Sequence, residues 1–289
     1  MGFVINNNLA ANNSYRSLNN TQNDLSKSLE KLSTGLRINR AADDAAGLSI
    51  SEGLKSQVTG SAQAARNAQD GISVIQTAEG ALTEVHSILQ RVRDLAVQAG
   101  NDSNNTDART AIKTEATSLV KELGRIGEST NFNGIDLLTG TAAGGGAVAD
   151  GKMSLQIGTG SGTSNQIEID LTGADVKKMA TDLEAAIITA DGFASPAVAA
   201  ATITSIDAQI KATSTARSTL GATQNRLEHT IKSLNVAGEN LQAAQSRIAD
   251  VDMAQEMVKF TKANILSQAG TAMLAQANQS SQGVLSLLR

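Results

Sequence analysis

The chain has 289 residues with 24 Lys and Arg against 28 Asp and Glu, one Pro, no Cys, no Trp, one Tyr and four Phe. A net charge of −4 without a basic run argues against a nucleic-acid binder, and the missing cysteines exclude disulfides and thiolate metal sites. So few aromatics cannot fill a thick core, no run of 18 apolar residues offers a membrane span, and Met1–Asn8 lacks the basic and apolar regions of a cleaved secretory signal.

The near absence of Pro permits long helices. The first is predicted from about Asn8 to Thr34. Leu18, Gln22, Leu25, Leu29, Leu32 and Leu36 recur at alternating spacings of four and three, a heptad stripe on one narrow face. Gly35 can close this helix in the left-handed conformation. Asp43 or Asp44 can cap the next one and favour its positive N-terminal dipole. Between them runs a short polar connector with Arg37, Asn39 and Arg40, which reads as a hinge.

The second helix is predicted from about Asp44 to Gly100. Ile75, Ala78, Leu82, Val85, Leu89, Val92 and Ala96 form one stripe, and Val74, Ala81, Ile88 and Leu95 a second beside it. Two adjacent stripes require contact over a broad arc, as in a multi-helix bundle. A third helix, capped by Thr106 or Asp107, runs to about Ser129 with Ile112, Ala116, Leu119, Leu123 and Ile126 in register.

The period then changes. Asn133-Gly134 is a strong turn signal. Leu155 and Ile157 alternate with polar residues, as do Ile167, Ile169 and Leu171, which predicts a small hairpin around 158–164. Residues 139–151 read as a Gly/Ala-rich loop. A short amphipathic helix is expected near Asp175 to Ala190, with a turn at Ser195-Pro196. The last long helix is predicted from near Ala201, on the sevenfold ladder Ile206, Thr213, Leu220, Leu227, Leu234, Leu241 and Ile248. A second hinge falls at Asp250-Val251-Asp252, and a final helix covers about Met253 to Leu288.

These elements predict a mostly α fold. It is a long antiparallel helical bundle or coiled-coil rod with a small β-hairpin, its terminal helices pairing as a separate coiled-coil module.

No constellation carries chemistry. His86 and His229 lack a metal shell, with no His-Glu-x-x-His pattern and no Cys. Asp43-Asp44 is better explained by helix capping than by acid–base work. The glycines of 158–162 lack the Gly-Lys-Ser/Thr ending of a phosphate loop. The sequence predicts no enzyme, no cofactor and no metal.

The stretch Leu32–Leu48, reading Leu-Ser-Thr-Gly-Leu-Arg-Ile-Asn-Arg-Ala-Ala-Asp-Asp-Ala-Ala-Gly-Leu, resembles bacterial flagellin. So do Asp70–Leu82, Leu89–Gln98, Asn131-Phe132-Asn133-Gly134, Asp250-Val251-Asp252-Met253-Ala254 and the terminal Val284–Arg289. The resemblance covers about 1–172 and 201–289. It implies a subunit that self-assembles into the hollow flagellar filament used for motility, in a short form without large outer domains. It implies five segments: an inner N-terminal helix and hinge (1–43), outer-layer helices and hairpin (44–172), a short variable surface segment (173–200), the outer-layer C-terminal helix (201–250) and an inner C-terminal helix (251–289). Inner-layer assembly is then expected to rest on Leu18, Leu25, Leu29, Leu32, Phe260, Leu266, Leu274, Leu285, Leu287 and Leu288. Because those seams are narrow, the two ends are expected to order only on assembly.

The resemblance also implies partners. Besides the chain itself these are the flagellar export apparatus, an export chaperone, the filament cap and the hook-junction proteins, with no nucleic acid and no membrane. The expected location is the extracellular filament, reached through the flagellar secretion channel without a cleaved signal peptide. Recognition by a host innate receptor, Toll-like receptor 5, maps onto Arg91, Leu95 and Glu115, although Leu95 also belongs to the second stripe. Two other readings compete. A hook–filament junction protein would share both ends but diverge in the middle. A cytoplasmic coiled-coil signalling module would show heptads without the Asn-Gly turn.

Overall fold

The computed structural model describes residues 8–140 and 151–287. The loop expected at 139–151 therefore lies mostly outside the described residues, as does Leu288.

Helix α1 spans Leu9–Thr34. Asn8 caps it, its Oδ1 accepting from the Ala11 amide, and Gly35 closes it at φ +73°. That left-handed conformation is open to glycine at little cost. Helix α2 runs over Ala45–Ala99 and α3 over Thr106–Ser129. The α3 cap is Asn105, whose Oδ1 accepts from the Ala108 amide, not Thr106 or Asp107. Strands β1 (Asn131–Phe132) and β2 (Ile135–Asp136) pair across Asn133 and Gly134, both at positive φ, as a tight two-residue hairpin turn demands. Strands β3 (Lys152–Gln156) and β4 (Gln166–Asp170) form the expected antiparallel hairpin, with Leu155 opposite Ile167.

Helix α4 covers Val176–Glu184 and continues into a π-helical turn at Ala185–Thr189. Helix α5 is Pro196–Ala249 and α6 is Met253–Leu287. Helix α5 thus begins about one turn before the predicted Ala201. Pro196 opens it rather than ending a turn, since the first helical position needs no amide donor and suits the fixed φ of proline.

The chain divides into two compact units, one of residues 1–58 and 239–289 and one of 59–238. In the larger unit the first predicted stripe of α2 is buried in the core, and of the second Val74 and Leu95 are buried while Ala81 and Ile88 pack half-buried against it. Ile75, Ala78, Leu82, Val85, Leu89, Val92 and Leu95 are at most 1 % exposed. Helix α5 lies antiparallel to α2, tied by Arg93–Asp207 (2.6 Å) and Arg217–Glu79 (3.7 Å). The β3–β4 hairpin seats Leu155 against Gly71, where no side chain stands in its way.

The segment expected as variable surface is also a core element. Val176, Leu183, Ile187 and Phe193 are all at most 1 % exposed. Lys113 of α3 donates to Asp191 (2.7 Å), Arg109 donates to the Ala194 carbonyl (2.9 Å), and Thr202 donates to the Gly192 carbonyl (3.1 Å). These bonds fix the turn that feeds α5.

Candidate functional site

The smaller unit holds the hinges and both terminal helices. The two hinges are one paired joint. Leu36 bridges Asp250 in antiparallel fashion, the Arg37 amide donates to the Ala249 carbonyl (2.7 Å), and the Val251 amide donates to the Gly35 carbonyl (3.0 Å). The Arg37 guanidinium donates through Nε and Nη2 to the Ile248 carbonyl, at 3.1 and 2.7 Å. It thereby satisfies an orphan carbonyl at the C-terminus of α5 with a cation, the charge that helix end favours.

Other hinge residues hold the connector. Asn39 donates to Thr34 (2.8 Å) and Arg40 to Glu30 (2.9 Å). The two aspartates divide the capping. Asp44 caps α2 by accepting from the Gly47 amide (2.9 Å), while Asp43 accepts from the Asn39 and Arg40 amides inside the connector. Those amide bonds, Arg40 first, hold the Asp43 carboxyl below its ordinary range. On the C-terminal side, Asp252 caps α6 by accepting from the Ala254 and Gln255 amides.

Helices α1 and α6 pair antiparallel. Asn8 donates to the Ala277 carbonyl (3.0 Å), Leu18 covers Gly270, and the Ser28 hydroxyl donates to Glu256 (2.7 Å). The seam differs from the predicted stripe. Leu18, Leu25 and Leu32 face it, half-buried, but alternate with Ser14, Thr21 and Ser28, whereas Gln22 and Leu29 point away. The partner face explains this. It carries Glu256, Ala263, Gly270 and Ala277 every seven residues, interleaved with Phe260, Ser267 and Leu274. Small residues let the helices approach closely, so small hydroxyl residues fill the gap better than Gln or Leu.

Glu256 and Ser28 were not legible as a pair from either helix alone. The i,i+3 spacing of Glu256 and Lys259, joined here at 2.9 Å, was the available signal. Burial pushes the Glu256 carboxyl up. The Ser28 and Lys259 hydrogen bonds and the charges of Lys259 and Lys31 outweigh it and hold the group below its ordinary value.

Much apolar surface on this unit stays open. Leu29 is 56 % exposed, Val258 68 %, Ile265 61 % and Leu266 49 %. Met257, Val258, Thr261, Ile265 and Leu266 line a shallow groove along α6. Of the predicted inner-layer leucines, then, some serve the α1/α6 seam and others lie on an uncovered face. Leu285 and Leu287 lie within α6.

In the larger unit Arg91 and Glu115 join at 2.6 Å on the exposed faces of α2 and α3. Leu95 is 1 % exposed, so its side chain belongs to the core beneath them and offers no surface contact. His86 meets Gln90 at 2.9 Å. Among the described residues no cluster of His, Cys, Asp or Glu has the makings of a metal site, and no helix is long and apolar enough to cross a membrane.

Residues 5–143 match the bacterial flagellin N-terminal helical region, and residues 203–288 match the bacterial flagellin C-terminal helical region. The chain is 54 % identical over 286 residues to the flagellin of Halalkalibacterium halodurans, an alignment covering 99 % of this chain and 100 % of that one. It is 49 % identical over 303 residues to the flagellin of Bacillus subtilis, covering 99 % of each. It is 46 % identical over 288 residues to the flagellar filament 33 kDa core protein of Treponema phagedenis, covering 99 % of this chain and 100 % of that one.

Proposed function

The chain belongs to the bacterial flagellin family and is a structural subunit of the flagellar filament, and from that premise we propose how its parts divide the work. It is a self-assembling protein and not an enzyme. Segments 1–43 and 251–289 form an inner layer around the filament channel. Segments 44–172 and 201–250 form the outer layer, and the turn in 173–200 faces outward. The observation that carries this division is the second apolar face of the α1/α6 unit. A helix pair whose own seam is satisfied, yet which leaves Leu29, Val258, Ile265 and Leu266 in water, is built to be covered again. In a homopolymer the cover is the same pair on neighbouring subunits.

Leu18, Leu25, Leu32, Phe260 and Leu274 then hold the pair together, and Leu29 and Leu266 make contacts between subunits. Leu285, Leu287 and Leu288 extend the inter-subunit surface. The hinge joint of Gly35, Arg37, Asn39, Arg40, Asp43 and Asp44 transmits position between layers. Full-length subunit added to filament seeds should elongate them, as seen by electron microscopy, and a chain lacking 253–289 should not. Elongation by the truncated chain would refute the inner-layer assignment.

The route and partners follow from the same reading. The subunit leaves the cell through the flagellar export apparatus, escorted by an export chaperone. It is added beneath the filament cap, and the first subunits meet the hook-junction proteins. The finished filament is extracellular. The exposed Arg91–Glu115 pair is the surface that the host receptor Toll-like receptor 5 engages, with Leu95 supporting α2 from the core.

A further inference from the structure

Three of the six methionines, Met253, Met257 and Met273, lie on α6, and they are 48 %, 49 % and 63 % exposed. The others described are sheltered. Met179 is 5 % exposed and accepts a hydrogen bond from Thr213 at its sulfur (3.6 Å), and Met153 is half-buried in β3. With no Cys and no Trp in the chain, thioethers are its most readily oxidised side chains. All three are uncovered on α6, and Met257 lines the apolar groove that the assembly reading has neighbouring subunits cover.

We propose that Met253, Met257 and Met273 are oxidative modification sites, and that their conversion to sulfoxide by a peroxide-type oxidant withholds the free subunit from polymerisation. The inference rests on the inner-layer reading above. The step is a two-electron oxygen transfer. The thioether sulfur gives its lone pair to one peroxide oxygen, the sulfur–oxygen bond forms as the peroxide O–O bond breaks, and the other oxygen leaves as water; sulfur is oxidised by two electrons and the peroxide is reduced. No chain bond breaks. The flexible apolar side chain becomes a polar one with a strong acceptor.

Met257 shares the groove with Val258, Thr261, Ile265 and Leu266, which offers no donor except the Thr261 hydroxyl and the Lys262 ammonium. The Thr261 hydroxyl already donates to the Met257 carbonyl (2.8 Å). Burying sulfoxides against such a surface sacrifices their hydration for at most the one ammonium of Lys262. Met179, in the core, is spared while the larger unit stays folded. The chemistry is reversible by sulfoxide reduction, so a damaged subunit is recoverable as long as it is unassembled and within reach of a reductase.

The test uses the full chain. Free subunits are treated with hydrogen peroxide, sulfoxides are mapped by mass spectrometry, and seed elongation is measured. A variant with Met253→Leu, Met257→Leu and Met273→Leu keeps apolar bulk without sulfur. The expected result is sulfoxide at the three α6 positions before Met179, and elongation at least about tenfold slower for wild type, given the cost of burying unpaired polar groups. The triple variant should elongate at its untreated rate. Reduction of oxidised wild type by a methionine sulfoxide reductase should restore elongation, which tests the proposal even if the triple variant does not assemble. Wild type that elongates normally with all three positions oxidised, or that stays inactive after complete reduction, overturns the proposal. Preformed filaments test the underlying reading separately. If their α6 methionines oxidise as fast as those of free subunits, the inner-layer placement fails whatever the elongation arm shows.

Discussion

Among the described residues Glu256 is the one charged residue that is buried, at 4 % exposure, and it accepts the Ser28 hydroxyl that is the one buried side chain of α1. Its carboxyl titrates below its unfolded value in the folded pair. The stabilisation is therefore complete above the ordinary glutamate value of about 4.3 and is lost as pH falls through the lower folded one. Hydrogen-exchange protection of α1 and α6 in filaments should hold from neutral pH down to about pH 4.3 and fall below it. Glu256→Gln should flatten that acid limb, and an unchanged limb would remove Glu256 as its source. Arg91 gives a second residue-scale expectation. Its guanidinium is exposed beside Glu115, and losing a central arginine from an interface commonly costs roughly 2 kcal/mol, or about thirtyfold in affinity. Arg91→Ala should weaken receptor activation by free subunits in a reporter assay to that degree. Wild-type signalling by this variant would show that the receptor reads another surface.

At the scale of elements, the two long stripes of α2 and the limits of α1 were plain in the sequence. Each rests on a period or a cap that one strand of sequence contains by itself. The α1/α6 seam was not, because which face of α1 turns inward depends on the small residues of α6 two hundred positions away. Leu29 continued the stripe as well as Leu32 did, and it is Glu256, taking the Ser28 hydroxyl, that decides which face turns inward there. The 173–200 segment was only partly legible, for a related reason. Its helix was readable from Val176, Met179, Ala180, Leu183 and Ile187, but the burial of the turn after it was not, because that turn is fixed by Arg109 and Lys113 of another helix.

Two substitutions test these assignments. A Cβ at Gly192 would lie 2.6 Å from the Ala186 carbonyl and 2.7 Å from the Thr202 hydroxyl. Gly192→Ala should thus cost about 1–3 kcal/mol by overpacking and lower the melting temperature by several degrees. Gly221→Ala, in α5 with nothing near, should be neutral or stabilise by up to about 1 kcal/mol. Equal effects would mean the turn is loose. Leu25→Asp places an unpaired charge in the seam. It should leave 59–238 helical by circular dichroism while abolishing seed elongation, and normal elongation would contradict the seam.

At the scale of the whole molecule, the two units differ in how much each buries. The larger unit has a continuous core from Ala68 to Leu227. In the smaller one, the buried apolar side chains among the described residues are Ile38, Ala249 and Ala263. So thin a core barely offsets backbone ordering at about 1–2 kcal/mol per residue. Its stability should come from neighbours, which couples folding of the ends to assembly and keeps the subunit from polymerising before export. Among the described residues, 151–200 pack onto the core through the hairpin, α4 and Phe193 and form no large outer domain. A filament of this subunit should accordingly have a thin, smooth wall. The most direct measurement is a helical reconstruction of filaments grown from the purified chain. It should place α1 and α6 as the layer lining the central channel, with Leu29, Val258, Ile265 and Leu266 buried against neighbouring subunits and α2, α3 and α5 outside them. A reconstruction with the α1/α6 pair on the outer surface, or with those four residues facing solvent, would contradict the account.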